Sequence, residues 1–250
     1  MKARTLLLIG VISFICFAVV SAPIATIWPR IASSQPALNL SGLSGTVFEG
    51  SASAVGVQGR TVARPLSWTF SPWSLLFAQL GFRVAGALEG LVFEGRVAKT
   101  FSGAVAIDAM QGAGSLKGLL NLTGDSFLPV DGDVAVTIDS LRMVGNFPKS
   151  LTGEIQVKSL RWSLAREPTL LGDLAIAIST EADVIVARVS PVSGPLDVGG
   201  EIRVLADRSY EVDLKVKAQP GAPEAVQNLV RTLGESDTEG YFRIKTRAAL

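Results

Sequence analysis

Short runs of alternating apolar and polar residues, each starting at a glycine, are the feature that most constrains how this chain folds. They start at Gly103, Gly132, Gly153, Gly172, Gly200 and Gly240. Period-two alternation places successive side chains on opposite faces of a β-strand, and it is typical of antiparallel sheets with one packed and one solvated face. Because the spacing of the runs is too irregular for a solenoid, the sequence predicts a meander of paired strands joined by loops of different lengths.

The alternation divides the side chains of the predicted sheet between an apolar face and a polar face. The apolar face is expected to carry Val105, Ile107, Val134, Val136, Ile138, Ile155, Val157, Leu174, Ile176, Ile178, Ile202, Val204, Phe242 and Ile244. The polar face is expected to carry Asp133, Glu154, Gln156, Lys158, Asp173, Glu201, Arg203, Arg243 and Lys245. The predicted fold class is therefore mostly β, with a curved, largely antiparallel amphipathic sheet.

Glycines and a repeated tetrapeptide give further expectations about the strands. The leading glycines are expected at turns or strand starts, where a positive φ is needed. The sequence Val-Phe-Glu-Gly occurs at residues 47–50 and again at 92–95. We expect each copy to end a short strand, with its glutamate on the polar face.

Two segments are predicted to be short helices that pack on the apolar face of the sheet. Residues 71–81 have Ser71 as a candidate N-cap, Pro72 at the first helical position and a glycine at the end. Residues 223–233 place four aliphatic side chains on one helical stripe: Val226, Leu229, Val230 and Leu233.

The N-terminal segment is apolar enough to enter a membrane. Residues 5–29 carry no charge and follow Lys2 and Arg4, and about 20 mostly apolar residues are enough to span a bilayer. A cleaved signal peptide is the alternative, because residues 20–22 have the small-residue spacing of a cleavage site. Pro23 directly after that site favours an uncleaved transmembrane helix instead.

The positive-inside bias predicts how such an anchor is oriented. Residues 1–30 are expected to form a cytoplasmic N-terminus and transmembrane anchor, and residues 31–250 a β-rich domain on the periplasmic side. The formal net charge of the chain is +1. Because clustered Lys and Arg side chains are absent from the sequence, a nucleic-acid partner is not expected.

The composition argues against most enzyme chemistry. The sequence contains no histidine, the commonest general base near neutral pH and a common metal ligand. Its one cysteine, Cys16, lies in the apolar N-terminal segment, so neither a disulfide framework nor a thiolate metal cluster is expected. No catalytic, cofactor-binding or metal-binding residue is predicted, and individual binding residues are not identified.

Two sets of residues have a functional and a structural interpretation. Four carboxylates follow leading glycines and are interpreted as solvated strand charges rather than a row of metal ligands: Asp133, Glu154, Asp173 and Glu201. Three tryptophans are interpreted as packing residues rather than a ligand-stacking set: Trp68, Trp73 and Trp162.

Four segments, taken in order, carry a resemblance to a known family. Residues 40–52 read LSGLSGTVFEGSA and follow the membrane segment; Trp68 and the sequence PWSLL at 72–76 come next. Residues 193–202 read SGPLDVGGEI, and residues 229–250 hold a leucine-rich turn, an acidic pair, an aromatic residue and an arginine. This series resembles type II secretion system protein N.

The resemblance departs from the family pattern at Phe48, where a tryptophan is usual, and at Ala249, where a glycine often stands; residues 100–160 match only in their strand pattern. It implies a non-enzymatic, cofactor-free accessory component of the inner membrane that faces the periplasm and contacts other inner-membrane subunits of the type II protein secretion machinery. The sheet is also similar to that of AsmA-type proteins, which implies an apolar groove for lipids as the alternative.

Exposure of the apolar face distinguishes these hypotheses. If Ile155, Ile176 and Ile202 face solvent along a groove, lipid binding is favoured. If the helices at 71–81 and 223–233 cover them, a protein scaffold is favoured. A periplasmic enzyme is the third and weakest hypothesis, because the sequence lacks histidine.

The membrane interpretation predicts the N-terminus of the mature protein. Protein isolated from native membranes should retain the apolar segment at 5–29, because Pro23 disfavours cleavage after residue 22. Mass spectrometry of the N-terminal peptide measures this directly. A mature N-terminus near Pro23 would refute the uncleaved anchor and favour a signal peptide.

Overall fold

The protein is described by a computed structural model that covers residues 10–11, 13–14, 17–18, 21–33, 38–57, 60–88, 90–123, 127–145, 147–164 and 168–249. These residues form one large sheet, one small sheet and a few short helices. The predicted mostly β, antiparallel architecture is confirmed. Its helices are α1 (Ile24–Ala32), a 3-10 helix η1 (Pro72–Phe77), α2 (Leu116–Thr123) and α3 (Glu224–Arg231).

The small sheet has three strands in the order β1-β4-β5: β1 Leu38–Ser41, β4 Ala54–Val57 and β5 Arg60–Ala63. The large sheet has thirteen strands: β2 Ser44–Gly45, β3 Glu49–Ala52, β6 Leu66–Ser71, β7 Gln79–Leu88, β8 Leu91–Thr100, β9 Val105–Ser115, β10 Val130–Val144, β11 Phe147–Trp162, β12 Thr169–Glu181, β13 Val184–Ser193, β14 Leu196–Val204, β15 Ser209–Ala218 and β16 Phe242–Ala249. From β6 to β16 each strand pairs antiparallel with the next one in the chain, and β3 and β2 complete the other edge. The predicted meander is therefore confirmed.

Strand register confirms the predicted division of side chains between the two faces. Val134 lies opposite Val157, which in turn lies opposite Leu174. On the polar face Asp133 lies opposite Lys158. Since directly opposite residues share a face, the apolar side chains of the central strands form one continuous surface.

The paired strands β9 and β10 change side-chain parity midway. Ile107 and Met110 are three residues apart, yet both lie on the apolar face, because Ala109 between them has a φ of 49°. Near the same height of the sheet, the pairing of β8 with β9 is irregular between Glu94 and Arg96, and the pairing of β10 with β11 is irregular between Ile138 and Ser140. An irregularity of this kind lets a strand continue with its apolar residues still on the packed side.

Three small elements cover part of the apolar face. The small sheet packs Val55 and Ala63 against Ala52, and Leu66 and Trp68 join this cluster. Helix α2 packs in the middle, with Leu116 and Leu119 against the buried residues Leu91, Val134 and Val157. Helix α3 packs near the last strands, where Val226 and Val230 are buried against Leu171, Val189, Leu196, Val198 and Val216. Each buried aliphatic side chain contributes about 1.5–3 kcal/mol of hydrophobic stabilisation.

The two predicted helices have different outcomes. The segment at 223–233 forms α3 and packs on the apolar face as expected, although Leu233 lies beyond its end and is exposed. The segment at 71–81 was wrongly predicted to cover that face: it forms only η1, which has no buried residue, and Gln79 already starts β7. Ala78 ends η1 in a left-handed conformation with a φ of 52°, three residues before the glycine expected there. Helix α2 has no counterpart in the sequence prediction.

The expectation for the leading glycines is confirmed at Gly103 and Gly240, which have φ of 90° and 80° just before β9 and β16, but it is wrong at Gly172 and Gly200. These have φ of 122° and 139° but lie inside β12 and β14 rather than at their starts. A Cβ would clash with the Ser193 carbonyl oxygen at Gly172 and with the Asp213 carbonyl oxygen at Gly200. Neither tetrapeptide ends a strand, since β3 begins at Glu49 and residues 92–95 lie within β8. Both glutamates are exposed.

The predicted membrane segment falls largely outside the described residues. The six described positions between 10 and 18 are helical and exposed. Within the described part of the chain, no helix is both long enough and apolar enough to span a bilayer. The anchor and the division into residues 1–30 and 31–250 remain predictions.

The packing of α3 yields a stability prediction. Val226 is 0% exposed, so Val226→Ala should lower the free energy of unfolding by about 2 kcal/mol through lost burial and a residual cavity. The matched control is Leu233→Ala, because Leu233 is 43% exposed and its truncation should change stability by less than about 0.5 kcal/mol. Urea unfolding of the detergent-solubilised chain, followed by tryptophan fluorescence, measures both. Equal effects of the two substitutions would contradict the described packing.

Candidate functional surface

The apolar face of the large sheet has an open half that the helices and the small sheet do not cover among the described residues. Seven partly exposed side chains cross this half side by side: one from each of the six strands β6 to β11, and Phe48, which directly precedes β3. We call them the apolar belt: Phe48, Phe70, Phe82, Val97, Ile107, Leu141 and Leu151. At about 4.8 Å between strands, the belt extends roughly 29 Å across the sheet.

Register and ring contacts place the belt residues side by side. The Phe48 and Phe70 rings meet edge to face with centroids 5.1 Å apart, and the Phe70 and Phe82 centroids are 5.5 Å apart. Beyond them the residues lie opposite one another in successive strand pairs, in the order Phe82, Val97, Ile107, Leu141 and Leu151. In β8 and β11 the belt residues share a face with Leu91 and Val157, which α2 covers. The belt is therefore the uncovered continuation of the packed face.

The three isoleucines proposed to distinguish the hypotheses give an intermediate result. Ile155 packs against the cluster under α2, and Ile176 against the cluster under α3. Ile202 belongs to neither cluster and is partly exposed. The apolar face is thus half covered, so the structure accommodates both a scaffold and an apolar binding surface.

The outer edge of β16 is the second candidate surface. β16 pairs with β15 on one side, and Ser236 bridges Phe242 at the start of its other side. No described strand pairs with the rest of that side. An unpaired edge exposes backbone donors and acceptors that can pair with a strand from another chain. The opposite edge, β2, has only two residues, and Thr46 beside it is bridged by Pro23.

Three basic side chains lie on the polar face of β16: Arg243, Lys245 and Arg247. Arg243 donates two hydrogen bonds to Asp213 at 2.8 and 2.6 Å, and these hold the pKa of the Asp213 carboxyl below its ordinary value. Arg247 forms ion pairs with Asp207 at 3.2 Å and Glu211 at 3.3 Å. Such exposed pairs add little stability, but they align the edge strand with its neighbour.

The four carboxylates considered as a metal row occupy separate environments. The Ser159 backbone N–H, at 2.7 Å, and the Ser193 hydroxyl both donate to Asp173, and together they lower the pKa of its carboxyl. Ser159 has a φ of 52° at a register irregularity of β11, so Asp173 stabilises a bulge. The pKa of Glu201 is lowered chiefly by its hydrogen bond from Arg203. Within the described residues, no three Asp, Glu or Cys side chains are close enough to hold a metal ion.

The three tryptophans considered as a stacking set lie in three places. The indole N–H of Trp68 donates to the Val47 carbonyl at 3.1 Å, and its ring packs beside the small sheet. Trp162 packs against the cluster under α3, whereas Trp73 in η1 is 75% exposed. The packing interpretation holds for Trp68 and Trp162 and is wrong for Trp73.

A shallow depression of about 780 Å³ lies on the polar face near the last strands. Its lining includes Glu201, Arg203, Asp213, Lys215 and Arg243. Hydrogen bonds from arginines lower the pKa values of the Glu201 and Asp213 carboxyls in it, which is the opposite of the raised pKa that a carboxylic general acid needs at neutral pH. The depression therefore has the character of an ion-pair network.

Sequence reasoning predicted the apolar face and raised an uncovered groove on it as an alternative, but it did not locate the belt. The position of the belt depends on which part of the face α2 covers, and α2 was not predicted although Ser115 precedes it and its hydroxyl accepts the Gly118 N–H at 3.1 Å. Which edge of the sheet is open was not predicted either, although β16 is the last strand of the alternating pattern and carries alternating cations.

Comparison with known proteins gives one match. The model of the family described as type II secretion system (T2SS), protein N, matches residues 36–245. Curated proteins and solved structures were also compared, and neither comparison finds a match. The matched region contains the whole described sheet except the last residues of β16. Since the match extends over more than half of the sequence, the chain belongs to the type II secretion system protein N family.

Proposed function

We propose that this protein is a non-enzymatic accessory component of the type II protein secretion machinery, anchored in the bacterial inner membrane by residues 5–29. Residues 31–250 lie in the periplasm and present the sheet to other inner-membrane subunits during export of folded proteins across the outer membrane. Family membership supports the role in secretion. The exposed apolar side chains of Val11, Phe14 and Phe17 in the helical N-terminal segment support the anchor.

The observation that carries the contact mechanism is the open edge of β16. A strand from a partner subunit pairs with this edge through backbone hydrogen bonds, and alternate side chains supply the specificity. On the polar face its side chains meet Arg243, Lys245 and Arg247. On β15 these cations pair with Asp213 and Glu211, although Lys215 is the residue directly opposite Arg243. Acidic residues at alternate positions of the partner strand extend this pattern of opposite charges.

The same cations disfavour pairing between two copies of the protein. In an antiparallel pair of β16 strands centred on Lys245, that residue would face its own copy, and Arg243 would face Arg247. Like charges directly opposite each other destabilise a strand pair, and edge lysines and arginines are a common protection against self-association. The edge therefore selects a different chain as its partner.

Photo-crosslinking in native membranes tests this edge. A photoreactive phenylalanine analogue at Thr246, which is exposed on β16, should form adducts with another secretion subunit when the full system is expressed. The same analogue at Thr137 is the matched control, because Thr137 is exposed in the central strand β10. Subunit adducts should appear at position 246 and not at 137. Equal adducts at both positions, or adducts at 137 alone, would contradict docking at the edge.

The apolar belt favours a second candidate function, periplasmic binding or transfer of lipid. Seven partly exposed apolar side chains in one row, outside the clusters under the small sheet, α2 and α3, offer a continuous contact for an acyl chain over roughly 29 Å. The Phe48, Phe70 and Phe82 rings supply a large apolar area at the end of the belt nearest β2.

A charge substitution in the belt tests lipid binding. Leu141→Asp places a carboxylate within the belt, between Ile107 and Leu151, and should reduce co-purified phospholipid at least several-fold, because burying a charge under an acyl chain is unfavourable. Thr137→Asp is the matched control on the polar face of the same strand and should leave the lipid content unchanged. Mass spectrometry measures lipid per protein, and circular dichroism verifies that both variants fold. Unchanged lipid in folded Leu141→Asp, or no lipid in the wild type, would rule out this function.

A further inference from the structure

A group of large apolar side chains is exposed at one end of the large sheet. Helix η1 and the turn after β8 contribute Trp73, Leu76, Phe77 and Phe101, which are 75%, 75%, 74% and 71% exposed. Leu75 and Leu80 beside them are 49% and 41% exposed. Single exposed apolar side chains are ordinary, whereas a contiguous group of this size marks an interaction site. We call this group the η1 tip.

The backbone of the η1 tip is held in place while its large side chains point outward. The Ser74 hydroxyl donates to the Ser71 carbonyl at 2.6 Å and accepts the Gly81 N–H at 2.8 Å. The Phe101 N–H donates to the Ala78 carbonyl at 3.4 Å, which ties the turn after β8 to η1. The exposed side chains of the tip are therefore carried by a backbone that hydrogen bonds hold in a defined conformation.

The tip lies at the end of the sheet where the N-terminal segment arrives. Pro23 bridges Thr46, whose N–H donates to the Glu49 carbonyl at 2.7 Å. Glu49 lies opposite Thr69, three residues before η1, a separation of roughly 10 Å along the strand. Pro23 thus contacts the sheet on the same side as the tip.

We propose that the η1 tip inserts into the interfacial layer of the bilayer leaflet from which residues 5–29 emerge, as a second membrane contact beside the anchor. This inference rests on the membrane anchor of the proposed function. Tryptophan and phenylalanine favour the interfacial layer, where their rings lie at headgroup depth, and leucines bury apolar area there. Lys99, exposed and two residues before Phe101, places an ammonium group where lipid phosphates lie.

Charged turns at the same end of the sheet, but farther from η1, limit the membrane contact to the η1 tip. The turns after β12 and β14 expose Asp183, Asp207 and Arg208, which fit water better than a bilayer. These turns are separated from η1 by several strand spacings of about 4.8 Å. The N-terminal part of the sheet therefore approaches the membrane while the C-terminal part remains solvated.

Depth-dependent quenching in proteoliposomes tests this contact on the full-length chain. Cys16→Ser removes the native thiol, and Leu76→Cys carries an environment-sensitive fluorophore in vesicles of phosphatidylethanolamine and phosphatidylglycerol. Lipids with a nitroxide near the headgroup should quench this fluorophore several-fold more than one at Leu164→Cys. Leu164 is the matched control because it is 70% exposed and follows β11 at the opposite end of the sheet. Ala206→Cys, in the charged turn after β14, should resemble the control.

Carbonate extraction of the same vesicles reports on the anchor independently. A chain that resists extraction but shows equal quenching at positions 76 and 164 overturns the tip contact and leaves the anchor standing. A chain released by carbonate overturns the anchor and this inference with it. In native membranes, protection of position 76 from aqueous iodide without quenching by lipid nitroxides would show that a protein covers the tip, which also overturns the proposal.

Discussion

A sheet of thirteen strands must cover its apolar face with whatever its own loops provide, and this constraint governs the rest of the structure. Among the described residues no second large sheet packs against it. Three small elements do so instead: the β1-β4-β5 sheet, α2 and α3. Each buries only a few aliphatic side chains, at about 25 cal/mol per Å² of apolar area. Coverage is therefore partial, and the half that carries the apolar belt stays open.

The pairing of consecutive strands makes this architecture possible without a closed core. Most contacts in the sheet join neighbours in sequence, so the entropy of loop closure remains small for each added strand. Over strands of up to 16 residues, the apolar side chains must all stay on the same face of the sheet. Irregularities at Ala109 and Ser159 adjust the side-chain parity of their strands, and Asp173 holds the second of them with its carboxylate. Polar groups on the wet face thereby maintain the order of the apolar face.

The sequence predicted the sheet well because alternation is a local property of each strand. Every residue assigned to the apolar face, from Val105 to Ile244, can be followed through strand register. Gly103 and Gly240 precede strands with a positive φ as predicted, whereas Gly172 and Gly200 are required by close approach of a neighbouring backbone, which period two does not encode. Helix α2 has an N-cap, because the Ser115 hydroxyl accepts the Gly118 N–H at 3.1 Å, but the helix was not predicted, whereas η1 was predicted from its N-cap pattern and remains exposed. What covers a face depends on tertiary packing, which local pattern does not specify.

The free surfaces of the molecule are arranged across the sheet in a way that bears on function. The N-terminal segment meets the β2 edge through Pro23, and the open edge of β16 lies twelve strand spacings away, roughly 58 Å at 4.8 Å per strand. The η1 tip and the aromatic end of the belt lie near the first edge, while alternating charges occupy the second. A bilayer matches the first of these surfaces and a charged protein strand the second. Under the proposed function, a sheet anchored at one edge and open at the other extends laterally from its anchor, and the number of strands determines how far from the anchor a partner strand is bound.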